Sequence, residues 1–154
     1  MKKLLVGVMV VGLLGGLVVG QAAAWHTAML GGYRDGFALG MRVENRFSER
    51  WEGRVGIEGS TGQDLYLTGD NPFIMFGTVN YYLGNLRHSQ VSLCGGLAAY
   101  SGDSPMSGVS LSLLFDRPLE NADSLFVELG TDIMNGKPYL NAQVGYAVMS
   151  FGTF

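Results

Sequence analysis

Charged residues that alternate with apolar residues are the groups of this sequence that could do chemistry together. They comprise three arginines and six acids: Arg42, Arg46, Arg54, Glu44, Glu52, Glu58, Asp116, Glu128 and Asp132. Isolated charges in a low-dielectric interior are costly, so such a set must be either paired or hydrated. Paired charges would fill an interior with salt bridges. Hydrated charges with an acidic excess would form a narrow water path that prefers cations.

Catalysis and metal binding have little support in the sequence. Nucleophilic catalysis needs a nucleophile, a base and an orienting group within reach of one another. The histidines are His26 and His88, and the chain contains no G-x-S-x-G, phosphate-loop or HExxH motif. The single cysteine, Cys94, allows neither an internal disulfide nor a multi-cysteine metal site, and we expect it to be a small buried residue. We therefore expect no catalytic residue, no cofactor and no bound metal.

The first 24 residues have the pattern of a secretory signal peptide. Met1-Lys2-Lys3 is followed by an apolar run over residues 4–19 and then by Gln21-Ala22-Ala23-Ala24, which predicts cleavage before Trp25. The alternative is an uncleaved helical anchor, but glycines within the run weaken such a helix. The predicted organisation is a signal peptide over residues 1–24 and one domain over residues 25–154.

Composition excludes two broad classes of protein. Hydrophobic residues make up 47% of the 154 residues and charged residues 15%, which excludes a disordered chain. The formal net charge is −3, and the acidic excess grows when Lys2 and Lys3 are removed with the leader. A nucleic-acid partner is not expected, because nucleic-acid binding needs a basic face.

Short segments of alternating apolar and polar residues run from Arg34 towards the end of the chain, separated by clusters of Gly, Asn, Asp, Pro and Ser. This period of two is typical of antiparallel strands. Phe37, Leu39, Met41 and Val43 share one face of the clearest segment. All nine charged residues named above fall on the face opposite the apolar one. We predict an all-β domain without helices.

Composition indicates which face of the predicted strands points outward, and it favours the apolar face. A soluble lipocalin-like barrel and a membrane barrel show the same alternation, but apolar side chains point inward in the first and outward in the second. A soluble exterior needs many lysines and glutamates, but Lys137 is the only lysine after residue 24. Aromatic residues of the apolar face lie at strand ends, as in the two interfacial girdles of membrane barrels. Phe47, Trp51, Tyr81 and Phe115 lie beside one set of turns, and Phe37 and Phe73 lie beside the other.

The lengths of the connections predict the strand count. Those near 47–51, 84–88 and 117–123 are tight or polar, and those near 59–72 and 101–107 are longer on average. Bacterial membrane barrels keep their short turns on the periplasmic side, so the strand that begins near Arg34 runs inward and needs a partner before it. Residues Trp25 to Gly31 supply that strand. The prediction is an eight-stranded antiparallel up-and-down transmembrane β-barrel with both termini in the periplasm.

Charge pairing predicts the register of the second and third strands. With the turn centred on 48–50, Arg46 lies opposite Glu52 and Glu44 lies opposite Arg54. A shift of two residues in either direction would oppose like charges, which destabilises a strand pair.

The leader, the alternating segments, the strand count and the terminal Phe154 resemble the small outer-membrane β-barrels of Gram-negative bacteria, the class of the OmpX-like and OmpA-type barrels. The resemblance implies a monomer surrounded by outer-membrane lipid and lipopolysaccharide. It also implies that the barrel-assembly machinery reads Phe154, with Val148, Tyr146 and Val144 at alternating positions before it. Gly152 and Ser150 depart from that pattern.

The favoured hypothesis is a structural or surface-interacting outer-membrane barrel whose lumen is filled by polar side chains. The outer connections are short and acidic, with Asp35 in the first of them, and the segment Thr61 to Asp70 is the place where a surface partner is expected. Three alternatives stay open: a narrow cation-preferring pore, an outer-membrane lipid-modifying enzyme, and a soluble periplasmic carrier of the lipocalin type.

Overall fold

The computed structural model describes residues 25–61, 73–101, 105–120 and 123–149. These residues form eight strands: β1 (Trp25–Arg34), β2 (Phe37–Arg46), β3 (Trp51–Ser60), β4 (Phe73–Leu86), β5 (Ser89–Tyr100), β6 (Met106–Pro118), β7 (Ser124–Met134) and β8 (Lys137–Met149). No helix in this part of the chain has the length and apolar character needed to span a bilayer. The predicted leader, Phe154 and the Thr61 to Asp70 segment beyond Thr61 lie outside the described residues.

Each strand pairs antiparallel with its neighbours in the sequence, and β1 pairs with β8 to close the barrel. The predicted fold class, including a first strand before Arg34, is confirmed. That strand is longer than the sequence indicated, because it continues past Gly31 to Arg34. The extension places one more charged residue in the lumen.

The barrel has two ends that we call A and B. End A holds the start of β1, the end of β8, the turns at 47–50 and 87–88, and the connection that leaves at Glu120 and returns at Asp123. End B holds the turns at 35–36 and 135–136 and the connections that leave at Thr61 and Ser101. Both histidines lie at end A, His26 at the start of β1 and His88 in the turn between β4 and β5.

The predicted register of β2 and β3 is confirmed. Arg46 is the partner of Glu52, and Glu44 is the partner of Arg54. The turn closes through the backbone N–H of Phe47, which donates to the carbonyl of Trp51 at 3.2 Å. The hydrogen-bonded register of β2 and β3 therefore places residues of opposite charge next to each other on the lumen side.

The connection predicted near residues 84–88 is present, but it is shorter than predicted. Strand β4 continues to Leu86, and the turn consists of Arg87 and His88. The pairing with β5 shifts between Tyr82 and Gly84, where Gly84 has a φ of 150°. Glycine accommodates such an irregular backbone at little steric cost, so the strand bends at a bulge here and does not end.

The two faces of the barrel wall differ sharply in polarity. Leu111 and Leu113 on β6 point outward and are 44% and 40% exposed, whereas Ser110 and Ser112 between and beside them are buried. The same pattern repeats around the wall, and it gives an outer belt that includes Met29, Leu39, Met41, Ile57, Leu93, Leu97, Val109, Leu125, Val127, Leu129, Leu140 and Val144. A lipocalin-like carrier would line its interior with these apolar side chains, so that alternative is excluded by the orientation of Leu111 and Leu113.

Two phenylalanines cover glycines inside the lumen. Phe76 is the cross-strand partner of Gly56, and Phe126 is the partner of Gly145. A Cβ added at Gly56 would lie 2.3 Å from the Phe76 ring, and one added at Gly145 would lie 2.2 Å from the Phe126 ring. The missing side chains let each ring lie across the neighbouring strand, which is the arrangement known as aromatic rescue of a strand glycine.

Substituting Gly56→Ala is expected to destabilise the barrel by about 1–3 kcal/mol, because the new methyl group overpacks against the Phe76 ring. Unfolding by urea in lipid vesicles measures the loss. In a Phe76→Leu background the same substitution should cost clearly less, since residues in contact are not additive. An equal cost in both backgrounds would show that the ring is not the obstacle.

Candidate functional site: the charged lumen

The nine charged residues predicted from the sequence all lie on strands with their charged groups on the lumen side, and they fall into three groups. Arg42, Glu44, Arg54 and Glu128 form the first; Glu58 and Asp132 belong to the second; Arg46, Glu52 and Asp116 lie at the end A mouth. The strand alternation is what directs them inward, because successive side chains point to opposite faces.

Glu128 on β7 is the centre of the first group. Its carboxylate accepts hydrogen bonds from Arg42 Nη1 at 3.0 Å, from Arg54 Nη1 at 2.8 Å and from Ser112 Oγ at 2.5 Å. Arg42 also donates from Nε to Glu44. Two arginines thus balance two carboxylates in a buried cluster.

The ion pairs of this group differ from the pairs across the strand ladder. Glu44 and Arg54 are cross-strand partners, yet Arg54 donates across the lumen to Glu128 and Glu44 accepts from Arg42 on its own strand. In a narrow closed barrel, a long guanidinium reaches a carboxylate on a distant strand as easily as one on the next strand. The register of the strands therefore does not determine which charged side chains form ion pairs in this lumen.

Arg34 on β1 is the centre of the second group. It donates to Asp132 through Nε at 2.7 Å and through Nη2 at 3.1 Å, and to Glu58 through Nη1 at 2.7 Å. The hydroxyl of Tyr100 donates to Asp132 at 2.5 Å, and Gln143 Nε2 donates to Glu58 at 2.5 Å. Arg34 is 1% exposed and Asp132 is 0% exposed. This cluster joins strands β1, β3, β5, β7 and β8 across the lumen.

Sequence reasoning missed Arg34, Tyr100 and Gln143. Arg34 has the same phase as Ala28 and Leu30, which are buried in the lumen, so extending the alternation of β1 by three residues would have included it. Tyr100 and Gln143 also lie on the inward phase of their strands, but uncharged polar residues give no comparable signal.

Asp35 lies in the connection between β1 and β2, as the sequence predicted, but the structure shows in addition that it is buried there. This turn consists of two residues, and φ is 53° at Asp35 and 107° at Gly36. The hydroxyl of Ser60 donates to its carbonyl oxygen at 2.6 Å. Aspartate tolerates the left-handed region better than most residues, which explains its place in so tight a turn.

The third group surrounds an open cavity of about 120 Å³ at end A, to which His26 also contributes. Arg46 Nη2 lies 3.8 Å from Glu52 Oε2, and the Arg46 side chain is 54% exposed. Asn80 Nδ2 donates to Glu52 at 2.9 Å. The mouth is therefore open to solvent and loosely paired, in contrast to the two groups deeper in the lumen.

Aromatic rings complete the packing of the two deep groups. The guanidinium carbon of Arg34 lies 4.7 Å from the centre of the Phe76 ring, and that of Arg42 lies 3.7 Å from the centre of the Phe126 ring. Each arginine thus stacks on the phenylalanine that covers a strand glycine. Such cation–π contacts gain strength when water is excluded.

The girdle residues lie where the alternation placed them. Phe47, Trp51, Tyr81 and Phe115 are near end A, and Phe37 and Phe73 open β2 and β4 at end B. The Trp51 and Tyr81 rings are 4.8 Å apart between centroids. A role at membrane interfaces stays a prediction for these six residues.

Cys94 is fully buried on the lumen side, and its Sγ lies 3.9 Å from the carbonyl oxygen of Ser92. In the described part of the chain, no three side chains of His, Cys, Asp or Glu come together in a way that would hold a metal ion. The chemistry that the arrangement can perform is ion pairing across a filled lumen.

Tyr100→Phe is expected to destabilise the barrel by about 1.5–3 kcal/mol, the usual contribution of a buried hydrogen bond to a charged group. The substitution keeps the ring and removes only the hydroxyl that donates to Asp132. The shift in the urea midpoint measures it. Tyr33→Phe is the matched control, because that ring is 42% exposed on the outer face. If the two variants lose equal stability, the Tyr100 hydrogen bond does not hold the Arg34 cluster together.

The fold is similar to that of a major outer membrane protein from Thermus thermophilus, known from its crystal structure. The TM-score is 0.60 and the sequence identity 16%, over 82% of this chain and 99% of that chain. No family model and no curated protein matches the sequence. At this identity the likeness concerns the fold alone, and the described residues form an eight-stranded closed antiparallel β-barrel of the kind that outer-membrane proteins adopt.

Proposed function

We propose that this protein is a small barrel of the bacterial outer membrane whose lumen is closed by side chains and which acts structurally or through its extracellular connections. The observation that carries the proposal is the inverted polarity of the wall, with Leu111, Leu113 and Val127 outside and Arg42 and Glu128 inside. Only a lipid environment makes an apolar exterior of this extent favourable, because large exposed apolar patches are rare on soluble monomers.

Fractionation with heat-modifiable gel mobility tests the membrane assignment. The chain should be recovered in the outer-membrane fraction, should need detergent to stay in solution, and should migrate faster unheated than heated. A chain recovered in aqueous buffer without detergent would contradict it.

The side chains that fill the lumen support a closed barrel more than a cation-preferring pore. Eight-stranded barrels are just wide enough for side chains, and here Arg34, Arg42 and Arg54 are buried across the bore with their charges paired. We expect planar bilayers containing the purified protein to stay electrically silent. Stepwise cation-selective currents would favour the pore.

The proposed orientation places end A in the periplasm and end B outside the cell. Its support is that the chain enters β1 and leaves β8 at end A, and that the long connection between Ser60 and Phe73 leaves from end B. A cysteine at position 137 in the β7–β8 hairpin should react with an impermeant maleimide on intact cells, and one at position 49 should react only after the outer membrane is opened. The reverse result would invert the topology.

The remaining proposals follow from this location. The partners are outer-membrane lipid and lipopolysaccharide, the barrel-assembly machinery reads the C-terminal segment that ends in Phe154, and the protein is a monomer in a Gram-negative envelope. We propose no enzymatic role, since the histidines lie at end A, opposite the outer leaflet in which the lipid-modifying barrels carry out their chemistry.

A further inference from the structure

The hairpin of β4 and β5 extends past the end of β3 at end A. Because β3 begins opposite Tyr81, the last bond between the two sides runs from the Tyr82 N–H to the Arg50 carbonyl oxygen, at 2.9 Å. Strand β4 continues to Leu86 and stays paired with β5 on its other side. The segment Leu83–Leu86 therefore has no strand beside it on the β3 side among the described residues, and we call it the open edge.

This overhang is the longest at end A in the part of the chain that the structure describes. At that end, β6 and β8 each continue two residues past their last partner on the preceding strand, and β2 continues one residue past its last partner on β1. In an antiparallel ladder, alternate residues direct both backbone groups to the same neighbour. The four residues of the open edge therefore present N–H and C=O groups to which another strand could add.

Two leucines of the open edge are exposed. Leu83 is 56% exposed and Leu86 is 60% exposed, and both lie past Tyr81, the girdle residue of this strand, in the direction of end A. An extended segment added to the edge would cover part of both side chains, which is favourable because it removes apolar surface from water.

Arginines flank the open edge at both ends. Arg50 lies at its start, where Nη1 donates to the Tyr81 hydroxyl at 3.1 Å, and Arg87 lies in the turn that follows it. Both arginines are exposed, and neither forms an ion pair with a described residue. Glu49 is the one acid in the overhang and the two turns beside it. The net charge around the edge is positive, which favours acidic groups at the two ends of an occupant.

We propose that the open edge binds an extended peptide segment of a periplasmic protein, apolar in its middle and acidic at both ends, which adds to β4 as an antiparallel strand. Backbone hydrogen bonds supply the affinity in this mode of recognition, and side-chain contacts with the leucines and arginines supply the specificity. The inference goes beyond the proposed function and rests on it for one point, the orientation that places end A in the periplasm.

Two other occupants fit the open edge less well. A second copy inserted in the same direction has its β4 running the same way, so the two edges could not pair antiparallel, and their arginines would repel each other. A lipid head group could accept hydrogen bonds from an arginine, but it cannot follow donors and acceptors that repeat along an extended strand.

Peptide binding to the protein in nanodiscs of zwitterionic phosphatidylcholine tests the proposal. The probe is a dye-labelled heptapeptide with aspartate at both ends and alternating valine and threonine between them, and fluorescence anisotropy measures its affinity. It should bind saturably and slow amide hydrogen exchange in residues 83–86. The same sequence N-methylated at every backbone amide should bind at least about tenfold more weakly, because methylation removes the donors that pair with the edge.

Arg50→Glu should weaken binding of the unmethylated peptide about fivefold, because it replaces an attraction to one terminal aspartate by a repulsion. Arg117→Glu is the matched control. Arg117 is also exposed at end A, but it lies near the end of β6, two strands away from the open edge, so its reversal should leave the affinity unchanged.

Absence of peptide binding would overturn the proposal, and so would equal binding of the methylated peptide or equal effects of the two arginine variants. If the peptide does not bind and Arg50→Glu instead lowers the retention of phosphatidylglycerol, lipid head groups occupy the edge and the proposal is also overturned. Unheated gel mobility confirms that each variant is folded. The cysteine labelling described above tests the orientation separately. Reversed labelling with intact peptide binding would overturn the periplasmic location of the partner, whereas the expected labelling without peptide binding would contradict the binding site alone.

Discussion

Glu128→Leu is expected to destabilise the barrel by about 3–5 kcal/mol, because removing one partner of a buried ion cluster leaves the other charges unpaired. Glu128 accepts hydrogen bonds from both Arg42 and Arg54, and its loss would leave two buried guanidinium groups without their shared carboxylate. Urea titration in lipid vesicles measures the change in the free energy of unfolding. The fraction of folded barrel at each urea concentration is read from the fast-migrating band of unheated samples on a gel.

Glu49→Leu provides the control for this substitution. Glu49 lies exposed in the turn between β2 and β3, so its replacement should change the stability by less than about 0.5 kcal/mol. If Glu128→Leu cost no more stability than Glu49→Leu, the lumen charges would be hydrated and not paired. That result would contradict the proposal that paired charges close the lumen.

Leu111→Arg is expected to cost about 2–4 kcal/mol, the penalty for a cation on the lipid face near the middle of a membrane barrel. Leu111 lies in the centre of β6, paired with Gly95 and Thr131 of the neighbouring strands, and its side chain points outward. The arginine would have to enter hydrocarbon, or thin the bilayer around it. The measurement is the urea midpoint in vesicles of defined lipid.

Leu119→Arg is the depth control for Leu111→Arg. Leu119 follows the end of β6 at end A and is exposed, so an arginine there should cost only about 0–1 kcal/mol. A water-soluble barrel would tolerate arginine at both positions alike. Equal effects at the two depths would therefore contradict a lipid-facing belt.

The strand content, the phase of each strand and the β2–β3 register could be predicted because each depends on local alternation. A period of two directs Arg42 and Glu44 to one side and Met41 and Val43 to the other whatever the tertiary structure. The register followed from the signs of four charges placed symmetrically about one turn. These signals are contained within about fifteen residues of chain, where physical neighbours are also sequence neighbours.

The partners across the lumen could not be predicted in this way. Arg34 and Asp132 are separated by 98 positions, and their contact depends on the stagger with which β1 closes against β8. The bulge at Gly84 was missed for a related reason. A glycine within an apolar run predicts a turn as readily as an irregular strand, and the length of the paired neighbour β5 decides between them.

The central claim is that the outward face of the wall contacts lipid tails and the charged face does not. Photolabelling with an apolar diazirine dissolved in the bilayer tests this claim directly. Light activates the diazirine in bilayers that contain the wild-type protein, and mass spectrometry then identifies the labelled residues of each strand. The account predicts labels on Leu111, Leu113 and Val127, and none on Ser112 or Glu128. Labels on the second set, with the first protected, would contradict it.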